Sequence, residues 1–209
     1  MTASAPDEPK QGLPIVAFAS AADWEGWLDE HHATAPGVWV KFARKASGIP
    51  TVTYAEAVEA ALCYGWIDGQ AASFDDTHHL QRFTPRTARS KWSKINQARV
   101  LSLIEAGRMK PAGLAAVEQA KQDGRWERAY DPPSTASVPD DLQAQLDLHP
   151  RAAAFFATLD GQSRYAILYR IHDAKRPETR KRRIDTFVAM LDRHENANPV
   201  IGVNPPPRR

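Results

Sequence analysis

The sequence has little cysteine and no long apolar run, and each shortage excludes a class of protein. A single cysteine, Cys63, among 209 residues excludes an internal disulfide framework and fits a reducing compartment. Nowhere do about 18 apolar residues follow one another, so no membrane-spanning helix is expected. The start of the chain, MTASAPDEPKQG, lacks the basic and apolar regions of a secretory signal. We therefore expect a cytoplasmic protein.

The sequence also lacks a complete catalytic motif. It contains no GxSxG nucleophile turn, no phosphate-binding P-loop, no dinucleotide fingerprint and no HExxH zinc motif. Its histidines include two adjacent pairs, His31-His32 and His78-His79. The second pair lies in a predicted strand, where neighbouring side chains point to opposite faces and cannot easily hold one metal ion. We predict no catalytic residue, no metal site and no cofactor.

Charge is unevenly distributed, although the net charge is only +2. Residues 82–99 carry six cationic side chains and no acid, and residues 175–183 carry six cations and one acid. The rest of the chain is acidic, so one or two positive patches are expected on an acidic body, which favours an anionic partner. For the second run the alternative is a solvated helix face that contains Arg180, Lys181 and Arg183.

Apolar periodicity and helix caps predict mixed secondary structure up to about residue 130. The segment GVWVKFARK alternates Val38, Val40 and Phe42 with Trp39 and Lys41, which is typical of a half-buried strand. A second strand is predicted at PIVAF, residues 14–18. Two further strands, WIDGQAASF and THHLQRF, are predicted to form a hairpin that turns at Asp75-Asp76. The predicted helices run from the cap Thr53 to Gly65 with Tyr54 on the buried side, from the cap Ser90 to Gly107, and from Pro111 to Gly124.

Short helical segments follow a proline-rich stretch, YDPPSTAS. They lie near residues 139–147, 150–158, 162–173 and 177–193. The last has an apolar stripe of Ile184, Phe187, Val188 and Leu191 that must pack on a neighbour. The fold class is therefore α+β, with a small, mainly antiparallel sheet packed with helices and a C-terminal helical unit. The predicted domains are a flexible tail at 1–12, an α+β main domain at 13–130, a linker at 131–137, the helical unit at 138–194 and a flexible tail at 195–209.

Several motifs follow one another in a fixed order. They are EAVEAALCYGWIDG, RFTPRTARSKWSKIN, AGRMKPAG, AKQDGRW, VPDDL and AKRPETRKRRI. Together they resemble the YdeI/OmpD-associated family, also called bacteriocin-protection proteins, over roughly residues 20–192. The resemblance implies an association with bacteriocin or envelope stress and supplies no defined reaction.

A ligand site is predicted where the hairpin meets the basic stretch RFTPRTARSKWSKIN. Antiparallel pairing places Asp68 beside Arg82 to Thr84, in a register known to about one residue. A tryptophan face, a carboxylate and guanidinium groups are parts of a pocket for a small anionic or planar ligand, and a helix N-terminus also favours an anion. The predicted binding residues are Trp66, Asp68, Arg82, Thr84, Arg86, Ser90, Trp92 and Asn96.

Three alternatives to this pocket stay open. Asp68 could simply pair with Arg82 or Arg86 while Trp66 and Trp92 lie in the core. Cations that alternate with aromatic rings could instead bind nucleic acid. An enzyme acting on an anionic small molecule is the third hypothesis. The main hypothesis is a stress- or defence-associated protein that binds a small anionic ligand or a protein partner.

Overall fold

The computed structural model describes residues 7–195 of the chain. These residues form two compact units, an N-terminal unit that ends at Ala129 and a C-terminal unit that begins at Tyr130. Residues 1–6 and 196–209, which make up most of the two predicted tails, lie outside the described residues.

The N-terminal unit combines strands and helices, as the sequence patterns predict. One short 3₁₀ helix, Lys45–Ser47, follows the second strand. The remaining elements between residue 7 and Ala129 are β1 Ile15–Ala17, α1 Ala21–His31, β2 Val38–Ala43, α2 Tyr54–Cys63, β3 Trp66–Ser73, β4 His78–Pro85, α3 Lys94–Glu105 and α4 Pro111–Gln122. This order confirms the α+β class.

The four strands form one sheet in the order β1-β2-β4-β3. β1 runs parallel to β2, while the other two neighbouring pairs are antiparallel. The prediction of a small, mainly antiparallel sheet is therefore confirmed. In the hairpin Asp68 pairs with Phe83, and a bulge interrupts the register between Asp68 and Ala71. The bulge lies on the edge strand β3, where an extra residue bends the strand and hinders pairing with another chain.

One face of the sheet and the helices enclose the main core. Strand alternation turns alternate side chains of β2 and β4, among them Val40 and Phe83, toward α1 and α2. The indole of Trp24 on α1 donates a hydrogen bond to the carbonyl of Ala57 on α2 at 3.0 Å, so this buried N–H group is satisfied. Large members of this core are Trp24, Leu28, Val38, Val40, Phe42, Leu62, Trp66 and Phe83.

The opposite face of the sheet carries a second, smaller cluster that the sequence did not predict. Trp39 was expected on the solvated side of β2, but it is buried against Leu13 and Leu80. Its indole donates to the carbonyl of Lys10 at 3.0 Å, so the segment before β1 covers this part of the sheet. The alternation is therefore correct, and the assignment of one face to solvent is wrong at Trp39.

Helix starts are set by side-chain caps, one predicted correctly and one misplaced. At α2 the Thr53 hydroxyl accepts from the backbone N–H of Glu56, whose carboxylate accepts from the N–H of Thr53, which completes the predicted capping box. The helix predicted to begin at Ser90 begins after Ser93 instead. Ser90 belongs to a preceding turn, where its hydroxyl accepts from the N–H of Thr87 at 3.0 Å.

Replacing the cap residue Thr53 by alanine is expected to lower the free energy of unfolding of the N-terminal unit by about 1 kcal/mol. The reason is that the N–H of Glu56 loses its acceptor at the helix start. Urea denaturation of Thr53→Ala, with Thr53→Ser as the control that keeps the hydroxyl, measures the effect. Equal stability of the two variants would contradict it.

The C-terminal unit is helical throughout its regular structure. Between Tyr130 and residue 195 its helices are α5 Asp140–Leu148, α6 Pro150–Thr158, α7 Gly161–His172 and α8 Pro177–Asp192. The predicted apolar stripe of α8 is buried in a cluster with residues of α5, α6 and α7. The predicted solvated face of α8 needs correction, because Arg180 donates to the carbonyl of Ile171 and Arg183 donates to that of Arg170.

Candidate functional site

The predicted hairpin site does not offer the tryptophan faces expected of it. Trp66 is 1% exposed and Trp92 is 2% exposed, and both lie in the main core. The Trp66 indole donates to the carbonyl of His32 at 3.2 Å. The structure therefore places these two rings in the core, where they stabilise the fold.

The charged and polar members of the hairpin lie on two different faces of the sheet. Asp68 pairs directly with Phe83, so it shares the face that Phe83 turns to the core. Arg82 and Thr84 flank Phe83 in β4 and point to the opposite face. A Cβ added at Gly37 would meet the Thr84 methyl at 2.9 Å, which confirms that Thr84 lies on the side of the smaller cluster. The predicted register is correct, but it does not bring Asp68 and these two side chains to one pocket.

Asp68 instead accepts a hydrogen bond from a residue predicted to be buried. The hydroxyl of Tyr54, at the start of α2, donates to the Asp68 carboxylate at 2.5 Å. Tyr54 is 37% exposed, so its place on the buried side of α2 was wrong. The bond ties the edge strand to the helix start. Arg82 is half-buried, and its Nε makes no hydrogen bond within the described residues.

The basic stretch after β4 is folded tightly against the N-terminal unit. The Arg86 guanidinium stacks over the Trp92 ring at 3.6 Å and donates to the carbonyl of Lys91 at 3.1 Å. Trp92 meets the edge of Trp126 with ring centres 5.0 Å apart. Asn96, in the first turn of α3, accepts from Arg99 at 3.3 Å. Much of this stretch therefore makes internal contacts.

A residue missed by the sequence reasoning, Arg125, fixes the turn that contains Ser90. Arg125 is 9% exposed and donates from Nη1 to the carbonyls of Thr87 and Ser90 at 3.1 and 3.0 Å. Its Nε lies 2.8 Å from both oxygens of the Asp123 carboxylate. Hydrogen bonds from Arg125 hold the pKa of Asp123 below its ordinary value. The signal available in the sequence was an acid and an arginine on either side of Gly124.

A cavity in the C-terminal unit has the better geometry for a ligand. Its volume is about 150 Å³. Helix α7 supplies a face of residues at helical spacing, and α8 supplies Arg180. The residues that matter for its chemistry are Tyr130, Tyr165, Leu168, Tyr169, His172 and Arg180.

The segment predicted as a linker builds the other wall of this cavity. Its backbone turns at Pro132, whose carbonyl accepts from the N–H groups of Thr135 and Ala136. The Tyr165 hydroxyl donates to the carbonyl of Asp131 at 2.8 Å and holds the segment to α7. Burial raises the pKa of that hydroxyl, so it stays a donor at ordinary pH. Asp131, Ala136, Ser137 and Pro139 line the cavity on this side.

Aromatic contacts organise the cavity from within. The rings of Tyr130 and Tyr169 meet edge to face with centres 5.0 Å apart, and those of Tyr165 and Tyr169 lie 5.9 Å apart. Such pairs fix each other's orientation. Leu168 and His172 follow on the same face of α7. The cavity therefore has aromatic walls and several polar atoms.

Arg180 is held firmly at the edge of the cavity. Its Nε and Nη2 donate to the two oxygens of Asp141 at 2.5 and 2.8 Å, and its Nη1 donates to the carbonyl of Ile171 at 3.0 Å. The hydrogen bonds from Arg180 hold the pKa of Asp141 below its ordinary value. A guanidinium has five N–H donors, so within the described chain these bonds leave two N–H groups of Arg180 for a ligand.

Sequence reasoning missed this cavity for an identifiable reason. Tyr165, Leu168, Tyr169 and His172 recur at helical spacing in α7, and this pattern was available. The contact between Arg180 and Asp141 joins positions 39 residues apart, which no local pattern reveals. Arg180 was therefore interpreted only as part of a charged helix face.

Three of the six cations of the second basic run are paired with neighbouring acids. Besides the Arg180 pair, Lys181 lies 2.7 Å from Asp185, and Arg183 lies 3.8 Å from Asp173. These pairs reduce the positive charge that α8 could present to a phosphate backbone. Within residues 7–195, no group of three or more His, Cys, Asp or Glu side chains is placed to hold a metal ion. In the same part of the chain, no helix has the length and apolarity to cross a membrane.

The fold defines a protein of two parts, an α+β unit followed by a helical unit with an aromatic cavity. Comparison with protein families divides the chain similarly. Residues 16–116 match a domain of unknown function (DUF8412), and residues 135–194 match the family described as bacteriocin-protection, YdeI or OmpD-associated. No curated protein and no solved structure matches the chain.

The expected resemblance to the YdeI/OmpD-associated family is thus confirmed for part of the chain. The motif EAVEAALCYGWIDG, which contributed to that expectation, lies in the segment that matches the other model. The cavity residues from Ala136 to Arg180 lie inside the YdeI/OmpD-associated match, while Tyr130 and Asp131 precede it. The similarity and the cavity therefore coincide in the C-terminal unit.

Proposed function

We propose that this protein is a stress- or defence-associated protein of the bacteriocin-protection type that binds a small anionic ligand in the cavity of its C-terminal unit. The similarity of residues 135–194 to the YdeI/OmpD-associated family supports the first part. The observation that carries the second part is the oriented guanidinium of Arg180 at the edge of a tyrosine-walled cavity. A cytoplasmic location is part of the proposal and rests on the single cysteine.

The arrangement of Arg180 suits recognition rather than general solvation. Binding sites for small molecules are mostly aromatic and apolar, with a few oriented polar groups that select the ligand. Asp141 and the Ile171 carbonyl fix the guanidinium before any ligand arrives, which reduces the entropy lost on binding. Of the two partner classes predicted from the sequence, a small anion or a protein, the cavity favours the small anion.

Titration of the ¹⁵N-labelled full chain with benzoate and with inorganic phosphate tests the proposal. We expect saturable amide shifts, for at least one of these anions, in the cavity segments of α7, α8 and residues 130–139. Replacing Arg180 by glutamine is expected to weaken that binding at least about tenfold, because a charged hydrogen bond contributes roughly 1.5–3 kcal/mol.

Lys181→Gln is the matched control, because Lys181 follows Arg180 in the same turn of α8 and its side chain is 77% exposed. This variant should bind like the unaltered protein. The double variant Arg180→Gln/Asp141→Asn removes the ion pair without leaving an isolated charge, so a folded double variant that has lost binding still supports the proposal. Shifts that scatter outside the cavity, or unchanged binding by Arg180→Gln, would refute it.

A further inference from the structure

The charge and the planar guanidinium of Arg180, together with the size of the same cavity, indicate the class of ligand. This inference rests on the proposed function. The positive charge of Arg180 is already balanced by Asp141, whose two oxygens both accept from it. A ligand that approaches Arg180 therefore also approaches the Asp141 carboxylate, and Asp131 is a second acidic residue in the cavity lining. One further negative charge is tolerable at a bridging arginine, whereas a dianion such as a phosphate monoester meets stronger repulsion.

The shape of the remaining donor set favours a planar acceptor. After the bonds to Asp141 and Ile171, the guanidinium keeps two N–H groups in one plane, on nitrogens that the Cζ atom fixes relative to each other. A carboxylate matches a planar fork with two parallel bonds. A tetrahedral phosphate uses the same fork but brings a second charge.

The size of the cavity limits what can be attached to that carboxylate. An apolar protein cavity of about 150 Å³ holds one benzene molecule. The cavity here has a similar volume of about 150 Å³, is partly open to solvent, and includes the aromatic or apolar side chains of Tyr165, Tyr169, Leu168 and Pro139 among polar ones. A single six-membered ring therefore fits the site while one edge stays in contact with solvent, and an aromatic ring gains edge or offset contacts with the tyrosines.

We propose that the ligand is a monocyclic aromatic carboxylate, a monoanion of the benzoate class, with its carboxylate on Arg180 and its ring against Tyr165, Tyr169 and Leu168. Ser137 and the tyrosines add polar side chains to the same lining, so a ring hydroxyl fits the site better than a ring methyl group. This assigns a chemical class to the site.

Four probes separate the contributions of the negative charge, of the aromatic ring and of a second negative charge. They are benzoate, its neutral isostere benzamide, acetate, which lacks the ring, and the dianion phenyl phosphate, each titrated calorimetrically into the full chain at neutral pH. We expect benzoate to bind at least about tenfold more tightly than each of the other three. Benzamide lacks the charge, acetate lacks the ring and phenyl phosphate adds a second charge, and each difference should cost about 1.4 kcal/mol or more of binding free energy.

A variant that fills the cavity provides the second measurement. Ala136→Leu places extra methyl groups in the space assigned to the ring. It should weaken benzoate at least about tenfold and acetate much less, provided that its circular dichroism and melting temperature match those of the unaltered protein. If the variant does not fold, Ser137→Val serves the same purpose with a smaller added volume.

The outcomes distinguish the two proposals. If none of the four probes or inorganic phosphate binds at the cavity, both the proposed function and this inference fail. If phenyl phosphate or benzamide binds there as tightly as benzoate, the site exists but the assignment to aromatic monocarboxylates is wrong. Tighter binding of benzoate, lost in Arg180→Gln and in Ala136→Leu, supports both.

Discussion

Gly113→Ala is expected to lower the free energy of unfolding of the N-terminal unit by about 3 kcal/mol or more, the upper range for overpacking. A Cβ at this position would lie 2.2 Å from the carbonyl oxygen of Cys63 and 2.8 Å from that of Leu62. Both are backbone atoms at the end of α2, so no side-chain rotation relieves the clash. The carbonyl of Cys63 also accepts from the N–H of Lys110 at 3.1 Å, which holds the two helix ends together.

The matched control is a second glycine inside a helix. Gly26 lies in α1, and a Cβ added there meets no described atom within 4 Å. Gly26→Ala should therefore raise the free energy of unfolding by about 0.5–1 kcal/mol, because alanine loses less backbone entropy than glycine in a helix. Urea denaturation of both variants gives the test. A Gly113→Ala variant at least as stable as Gly26→Ala would show that the close approach at Gly113 does not constrain the fold.

Arg125→Ala is the second substitution with a large expected effect, a loss of about 2–3 kcal/mol. It removes the hydrogen bonds that Arg125 donates to the carbonyls of Thr87 and Ser90, and it leaves a cavity where the buried guanidinium was. The turn that Arg125 holds also contains Arg89, which is exposed. Trypsin should therefore cleave after Arg89 several-fold faster in this variant, because local opening of the turn becomes less costly.

Two companion variants separate charge from geometry at this position. Arg125→Lys keeps the positive charge near Asp123 but cannot reach two carbonyls and a carboxylate at once, so an intermediate loss is expected. Arg89→Ala, a change at the exposed tip of the same turn, should leave the stability unchanged within about 0.5 kcal/mol. A cost for Arg125→Ala no larger than that for Arg89→Ala would exclude the clamping role.

Local chemistry explains why some elements could be predicted from the sequence. The capping box of Thr53 and Glu56 lies within four residues, so the chain itself specifies it. Ser90 and Ser93 are equally good caps by local rules, and the choice between them depends on distant contacts. Arg125 binds the carbonyl of Ser90 and keeps that residue in a turn. Such a contact, 35 residues away in the chain, cannot be derived from a local pattern.

The candidate site shows the same limit at a larger scale. The pairing of Asp68 with the Arg82 to Thr84 segment was predictable from the hairpin, and the alternation of side chains would also have placed Asp68 and Arg82 on opposite faces. The cavity of the C-terminal unit was not predictable. It requires Asp141 to hold Arg180 and a proline-rich segment to turn against α7, and both depend on tertiary packing.

The division of aromatic residues between the two units has a spectroscopic consequence. All six tryptophans of the sequence precede Ala129, and the C-terminal unit contains tyrosines but no tryptophan. Fluorescence excited selectively at indole therefore reports unfolding of the N-terminal unit, which suits the variants of Gly113 and Arg125. Three of the five tyrosines, including Tyr165 and Tyr169, belong to the C-terminal unit. A change in tyrosine absorbance without a change in indole fluorescence therefore reports an event in that unit and not loss of the sheet core.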